Sequence, residues 1–310
     1  QSPPMHNSHD PRVLPMRDGI NPSCVVLPTV GEGNLIDFFA ERLPAVTRED
    51  WLRRMQLGEV IDEFGVPATP ERALVPGVRF YYYRELEQEA EIPFAAQILF
   101  QDEHLLVADK PHFLPVVPTG RFLQHTLLVR LKPEPGLQEL SPVHRIDRDT
   151  AGIVLFSVQR PTRGAYQALF RDRSVKKEYE AVARFRRDVT FPREHQSRMQ
   201  ECPEQFFRMQ EVPGEPNSQT HQQGDFARYL LKPVSGKRHQ LRVHMDSLGL
   251  PLMGDGFYPV VNDPEEGDWS NPLQLLARRI EFTDPVTGEL RRFESQRSLR
   301  PLSDFSDAGV

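Results

Sequence analysis

The sequence predicts an α+β protein, and three observations predict it. Apolar residues recur at helical spacing in Leu35–Phe38–Phe39–Leu43, in Tyr166–Leu169–Phe170 and in Leu241–His244–Met245–Leu248. The run Ile153–Phe156 is short, continuous, rich in branched and aromatic side chains and bounded by Gly152, as a buried strand would be. The stretch Val175–Phe185 alternates, with Lys177, Tyr179, Ala181, Ala183 and Phe185 on one face and Glu178, Glu180, Val182 and Arg184 on the other.

With 310 residues there is chain enough for one large or two medium domains with a buried core. The 29 prolines point to many loops, and Cys24 and Cys202 are too few for a disulfide framework or a cysteine zinc site. That cysteine usage, the absence of an 18-residue apolar run and the absence of an apolar leader together predict a cytoplasmic protein with no membrane partner. The formal net charge of −6 argues against nucleic acid on its face. Between Pro142 and Arg187, however, eleven Lys/Arg face five Asp/Glu, so a local basic surface sits in an otherwise acidic chain. An ordinary solvated face would give the same count.

In chain order, residues 1–33 read as an extended or disordered arm, proline-rich and without periodicity. Asn34 caps a first helix that Pro44 stops, and Thr47 caps a second that Gly58 ends, with Trp51, Leu52 and Met55 on one face. Short strands follow at Glu59–Ile61 and Val78–Tyr83. Two helices and small strands, with Arg48, Arg53 and Arg54 on the second helix, resemble an S4-like RNA-binding domain over residues 34–84; a plain packing domain is the alternative. Residues 85–91 are an acidic linker, and a larger domain spans 93–296.

In that domain His104–Ala108 is a strand that Asp109-Lys110-Pro111 ends in a turn, and Gln124–Leu131 is a short helix. Pro161 opens another helix, and residues 187–224 carry little periodicity. Asp225–Val234 is a strand. Lys237–Leu248 is a helix opened by Lys237, Arg238 and His239, where backbone N–H groups attract anions, and Gly249 closes it. Residues 297–310 read as a loose tail.

The charged group His144-Arg145-Ile146-Asp147-Arg148-Asp149-Thr150 stands at the mouth of the buried strand. Arginine forks hold carboxylates in a defined geometry and favour their ionised form, so this is a candidate reactive site, with a structural ion-pair network as the alternative. A kinase catalytic loop is excluded, because Ile146 intervenes between Arg145 and Asp147 and position 152 is Gly. Gly236-Lys237 is no phosphate loop, since Leu231 stands where its first glycine belongs, and neither G-x-S-x-G nor G-x-G-x-x-G occurs. His239 and His244 have no cysteine or carboxylate at ligand spacing, so no metal is expected. An aspartate between arginines, an inward tyrosine and a basic helix start suggest cofactor-free chemistry on an anionic substrate.

His144–Gly152 (HRIDRDTAG) resembles the H-R-L-D-R-x-T-S-G signature of the RluA-type pseudouridine synthases. Asp109-Lys110-Pro111 is similar to that family's N-K-P turn, and Lys177–Ala181 (KEYEA) to its K-x-Y-x-A strand. Gly236–His244 (GKRHQLRVH), with Gly249, Pro251 and Gly254-Asp255 after it, resembles G-R-x-H-Q-I-R-V-H…L-G-x-P-I-x-G-D. Four motifs in order cover about residues 93–290. Ala151 replaces a Ser, and Asp109 stands where relatives carry Asn.

The resemblance implies a mixed, largely antiparallel sheet with flanking helices and a central cleft. It implies isomerisation of uridine to pseudouridine in structured RNA, ribosomal or transfer, without cofactor or metal. A monomer is expected. Asp147 falls on the essential aspartate, Tyr179 on the active-site tyrosine and Arg242 on the aspartate's basic partner. Arg145 falls on the residue that holds the flipped nucleotide out of its stack, and His144, Arg148, Lys177, Lys237, His239 and Gln240 are candidate RNA contacts. A non-catalytic RNA-binding or RNA-chaperone protein on the same fold is the alternative.

Overall fold

The computed structural model describes residues 14–15, 22–28, 33–84, 89–119, 122–186, 188–189, 193–203, 205–213, 216, 218–225, 228–262, 264–265 and 267–305. Most of the arm, positions 85–88 of the linker, and the last five residues of the tail lie outside the described residues. The chain forms two compact units, residues Gln1–Gln88 and Glu89–Val310. No helix among the described residues is long and apolar enough to cross a membrane.

The first unit holds β1 (Ser23–Val26), α1 (Leu35–Arg42), α2 (Arg48–Gln56), β2 (Val60–Asp62) and β3 (Arg79–Tyr82). Both helices start where the sequence predicts: the side chain of Asn34 accepts from Asp37 N–H, and that of Thr47 from Asp50 N–H. The strands form an antiparallel sheet in the order β1-β3-β2. Phe39, Trp51 and Phe80 are fully buried, and Phe39 meets both Trp51 and Phe80 edge to face. Residues 23–26 are therefore a paired strand rather than part of an extended arm. Their four alternating positions were too few to show a period.

The second unit contains β4 (Gln97–Gln101), β5 (Leu105–Lys110), α3 (Leu127–Leu131), β6 (Ser141–Pro142), β7 (Ala151–Ser157), α4 (Arg160–Arg171) and β8 (Lys176–Val182). It continues with β9 (Arg193–Cys202), β10 (Gln205–Val212), β11 (Ser218–Asp225), β12 (Arg228–Pro233), α5 (Gln240–Ser247), β13 (Leu275–Thr283) and β14 (Leu290–Glu294). The strands join one sheet in the order β10-β9-β11-β12-β8-β13-β7-β5-β4, with β14 on β13 and β6 on β7. Among the described pairings, β7–β13 is parallel and the others are antiparallel.

Every residue of β5 and β7 is buried, as expected of central strands covered on both faces. Period-two alternation divides them between two cores. Leu105, Val107, Ile153 and Leu155 pack with Tyr166 of α4 and with Ile280 and Phe282 of β13. Leu106, Ala108, Val154 and Phe156 pack with Leu127 and Leu131 of α3. Each of these leucine, isoleucine, valine and phenylalanine side chains contributes about 1.5–3 kcal/mol on burial.

Four expectations change. β5 runs on through Asp109 and Lys110, which are buried strand residues and not a turn. α5 starts at Gln240, because His239 has φ 56°, a left-handed value that cannot continue into a helix. Lys237 and Arg238 therefore lie on an exposed turn ahead of it. Residues 297–305 are no loose tail: Leu299 is buried, Arg300 N–H donates to the Gln274 side chain, and Arg297 donates to the carbonyls of Ala95 and Asp109. Finally, the strand character of 175–185 stops at Val182, and Phe185 is exposed instead of sharing the inward face.

Candidate active site

Sheet register brings the motifs together. Gly152 of β7 lies opposite Ala277 of β13, and Ala277 lies opposite Tyr179 of β8. One row across three strands thus joins the strand that follows the Asp147 loop to the strand that carries Tyr179. The approach is close because Gly152 has no side chain: a Cβ there would sit 2.3 Å from the Ala277 carbonyl oxygen, and its φ is +116°.

The loop is held from below. Thr150 N–H closes a turn onto the Asp147 carbonyl at 3.1 Å. Lys110, buried at the end of β5, donates through Nζ to the carbonyls of Arg148 at 2.8 Å and Pro111 at 2.9 Å. His112 Nδ1 donates to the Asp149 carbonyl at 2.8 Å. Burial draws the Lys110 ammonium down to about 7, against the opposing charges of Asp149 and Asp147. Asp149 accepts from Arg148 Nε at 2.9 Å; burial would raise its pKa, but Arg148, Arg242 and Lys110 hold it below the ordinary carboxylate value.

Arg242 projects from α5 and is fully buried. Its Nε and Nη2 donate to the two carboxylate oxygens of Asp255 at 2.9 and 2.7 Å, and its guanidinium lies over the rings of Phe257 and Tyr258. Burial alone would weaken its hold on the proton, yet the hydrogen bonds and charge of Asp255 raise it well above the ordinary arginine value. Asp255 also accepts from the N–H groups of Phe257 and Tyr258 at 2.9 and 3.2 Å. Gly254 permits this turn, with φ +74° and no room for a Cβ against the Pro272 carbonyl.

Arg242 Nη1 remains to face Asp147, 3.5 Å from Oδ2. On the other side His239 Nε2 is 3.8 Å from Asp147 Oδ1. The Tyr258 hydroxyl accepts from Met209 N–H at 2.8 Å and lies 2.9 Å from His239 Nδ1, which ties the imidazole in place beside Asp147. Burial lowers the His239 pKa, opposed by the charge of Asp147, and keeps the ring neutral. The Asp147 side chain is still 21% exposed, so a substrate can reach it. Burial, and then the Asp147 charge, push the Tyr179 hydroxyl well above the ordinary tyrosine value, so it is a neutral phenol beside that carboxylate.

The other candidates separate into two groups. Arg145 is exposed and, among the described residues, has no ion pair or side-chain hydrogen bond. Lys237 is exposed as well. The remaining four are built into the framework. His144 Nε2 accepts from Leu155 N–H at 3.1 Å, and its ring stacks on Phe170, so it faces the core rather than a ligand. Gln240 Oε1 accepts from the Ser235 hydroxyl at 2.7 Å and from Lys237 N–H at 3.2 Å, tying the turn before α5. Arg148 pairs with Asp149 and lies over Phe122. Lys177 donates to the Ser235 carbonyl, and burial followed by the Arg173 charge draws it to about 8.

The sequence reading missed Asp255, Lys110 and Tyr258 as site residues. Asp255 and Lys110 stood inside the motifs that carry the resemblance, and that placement was the available signal. Nothing near Tyr258 marked it.

Comparison with known proteins bears on this geometry. A family model described as RNA pseudouridylate synthase matches residues 104–247. The dual-specificity RNA pseudouridine synthase RluA of Salmonella typhi is 32% identical over 213 residues, covering 64% of this chain and 91% of that protein. An RNA pseudouridine synthase of Synechocystis sp., named as uncharacterized, is 29% identical over 244 residues, covering 72% and 79%. The solved structure of Human RNA Pseudouridylate Synthase Domain Containing 1 superposes with a TM-score of 0.53 at 22% identity, covering 69% of this chain and 86% of that one, and shares the fold.

Proposed function

We propose, for a chain that belongs to the RluA-type RNA pseudouridine synthases and is an enzyme isomerising uridine to pseudouridine in RNA, that Asp147 carries the reaction on a uridine flipped out of its stack. The observation that supports this is the unequal sharing of Arg242. Its two strongest hydrogen bonds go to Asp255, and Asp147 receives the third nitrogen at 3.5 Å. A fixed cation thus faces the carboxylate without binding both its oxygens. The Asp147 side chain stays 21% exposed, which lets it meet the sugar or base.

In the reaction the N1–C1′ bond breaks, the base turns, C5 bonds to C1′, and the proton lost from C5 is balanced by one taken up at N1. Asp147 acts at the ribose, as nucleophile or as base. Tyr179 packs against the base, its phenol protonated. Unstacking the uridine costs a few kcal/mol, and Arg145, exposed at the rim, is suited to fill the vacated stack with its planar guanidinium. Lys237 contacts the RNA backbone. Structured ribosomal or transfer RNA is the substrate, no cofactor takes part, and the enzyme works as a monomer in the cytoplasm. The two cysteines, both free, fit a reducing compartment.

The S4-like reading of residues 34–84 gives this unit at most a secondary part in RNA binding. Arg48 pairs with Asp37, Arg53 with Asp50, and Arg54 donates to the Tyr83 carbonyl. Release of tritium from C5-labelled uridine in ribosomal and transfer RNA pools, assayed separately, tests the substrate class. Release from neither pool would overturn it.

A further inference from the structure

His195 of β9, Glu211 of β10 and His244 of α5 meet, and one donor atom from each lies within 4.8 Å of the others. His195 Nε2 is 3.1 and 3.3 Å from the two Glu211 oxygens, and the two imidazole rings stand edge to face with centroids 4.4 Å apart. Two hydroxyls complete the cluster: Ser197 Oγ is 3.0 Å from His244 Nε2, and Ser247 Oγ is 3.3 Å from His195 Nε2. His244 is fully buried, whereas the side chains of His195 and Glu211 retain 16% and 26% exposure, which leaves a way in for a small ion.

From this geometry we infer that His195, Glu211 and His244 form a binding site for a divalent transition metal ion, with zinc the ion the donors suit. Two imidazoles and one carboxylate are a borderline-soft set that matches Zn²⁺ better than Mg²⁺ or Ca²⁺, and water or the Ser197 hydroxyl supplies the fourth position of a tetrahedron. A hydrogen-bonded His195–Glu211 pair needs no second imidazole edge-on to it. The site's role is structural. It clips the β9–β10 hairpin to α5, two residues beyond Arg242, and so fixes the helix that presents Arg242. Sequence spacing could not show it, because its three donors come from three separate elements. The expectation of no metal weighed the two cysteines and the pair His239 and His244.

The test is a titration of Zn²⁺ into the purified, untagged full chain after chelator treatment, in competition with a chromogenic chelator. The variants are His195→Asn and Glu211→Gln, with His104→Asn as a control outside the cluster. Co²⁺ is added in parallel, because its visible absorption reports tetrahedral ligation directly in the wild type. The expected result is one tight site in the wild type and the control, with a tetrahedral Co²⁺ band. Each ligand variant should bind at least about 100-fold more weakly and lose the band. Zn²⁺ should also raise the thermal midpoint of the wild type but not of Glu211→Gln. Equal Zn²⁺ binding by wild type and both variants, or no stoichiometric binding by the wild type, would overturn the site.

Discussion

Arg242 is bound twice by Asp255, at 2.9 and 2.7 Å, and faces Asp147 through one remaining nitrogen at 3.5 Å. Asp255 therefore sets where the arginine points, and Asp147 receives a charge whose position it does not determine. An Asp255→Asn change removes the charge that neutralises a fully buried guanidinium and turns an acceptor into a donor. We expect a loss of about 3–5 kcal/mol in denaturant unfolding. In whatever fraction stays folded, kcat should fall about 100-fold as Arg242 loses its aim. Arg242→Lys should not restore activity, because an ammonium cannot span both carboxylates.

Lys110 gives a pH dependence of stability. Burial lowers its pKa from the ordinary 10.5 to about 7, so between these values the unfolded chain holds a proton that the folded chain has released. Stability must then rise with pH across that window, and the cost of the buried ammonium is greatest below about pH 7. Comparing wild type with Lys110→Met in urea at several pH values isolates the effect. Wild type should gain on the variant as pH rises. A parallel pair of curves would show that the ammonium is not desolvated.

Gly152 and Gly164 make opposite cases. Gly152→Ala places a Cβ 2.3 Å from the Ala277 carbonyl at a φ of +116°, where backbone meets backbone and neither strand can give way. A loss of about 3 kcal/mol or more is expected in thermal unfolding. Gly164 lies inside α4 with open space around its Cβ position, and Gly164→Ala should stabilise by about 0.5–1 kcal/mol.

His144 belongs to the framework, and its variants should say so. His144→Phe keeps the stack on Phe170 but strips Leu155 N–H of its acceptor, for an expected cost of about 1–3 kcal/mol with RNA affinity unchanged. Burial presses the His144 pKa from 6.5 to about 3, with a further push from Lys177. The unfolded chain binds that proton first, so the stability His144 confers is complete above about pH 6.5 and is lost as pH falls toward 3. The variant should lack that part of the acid sensitivity.

The helix caps at Asn34 and Thr47, the buried strand after Gly152 and the convergence of Asp147 with Arg242 were legible, because each has a local or motif-level signature. The hairpin of β9 and β10 was not. In β9 the inward positions include Ser197 beside Met199, while Glu194, Gln196, Arg198 and Gln200 point out, so polar residues occupy both faces and no apolar alternation forms. β14 was missed for a similar reason: its apolar residues are two, and it pairs at the edge of β13. His144, Arg148 and Gln240 looked like ligand-facing residues because their side chains are polar, and no sequence pattern tells a backbone acceptor from a ligand contact. The start of α5 was misplaced because His239 takes a left-handed conformation usually left to glycine or asparagine.

The central claim is that Asp147 performs the chemistry while the rest of the site holds and aims it. The most direct measurement is single-turnover tritium release from C5-labelled uridine in RNA by wild type and by Asp147→Asn, with RNA affinity measured on both. Wild type should release label, and Asp147→Asn should be slower by at least about a thousandfold with its affinity for RNA retained. Release by Asp147→Asn at a rate close to wild type would contradict the account.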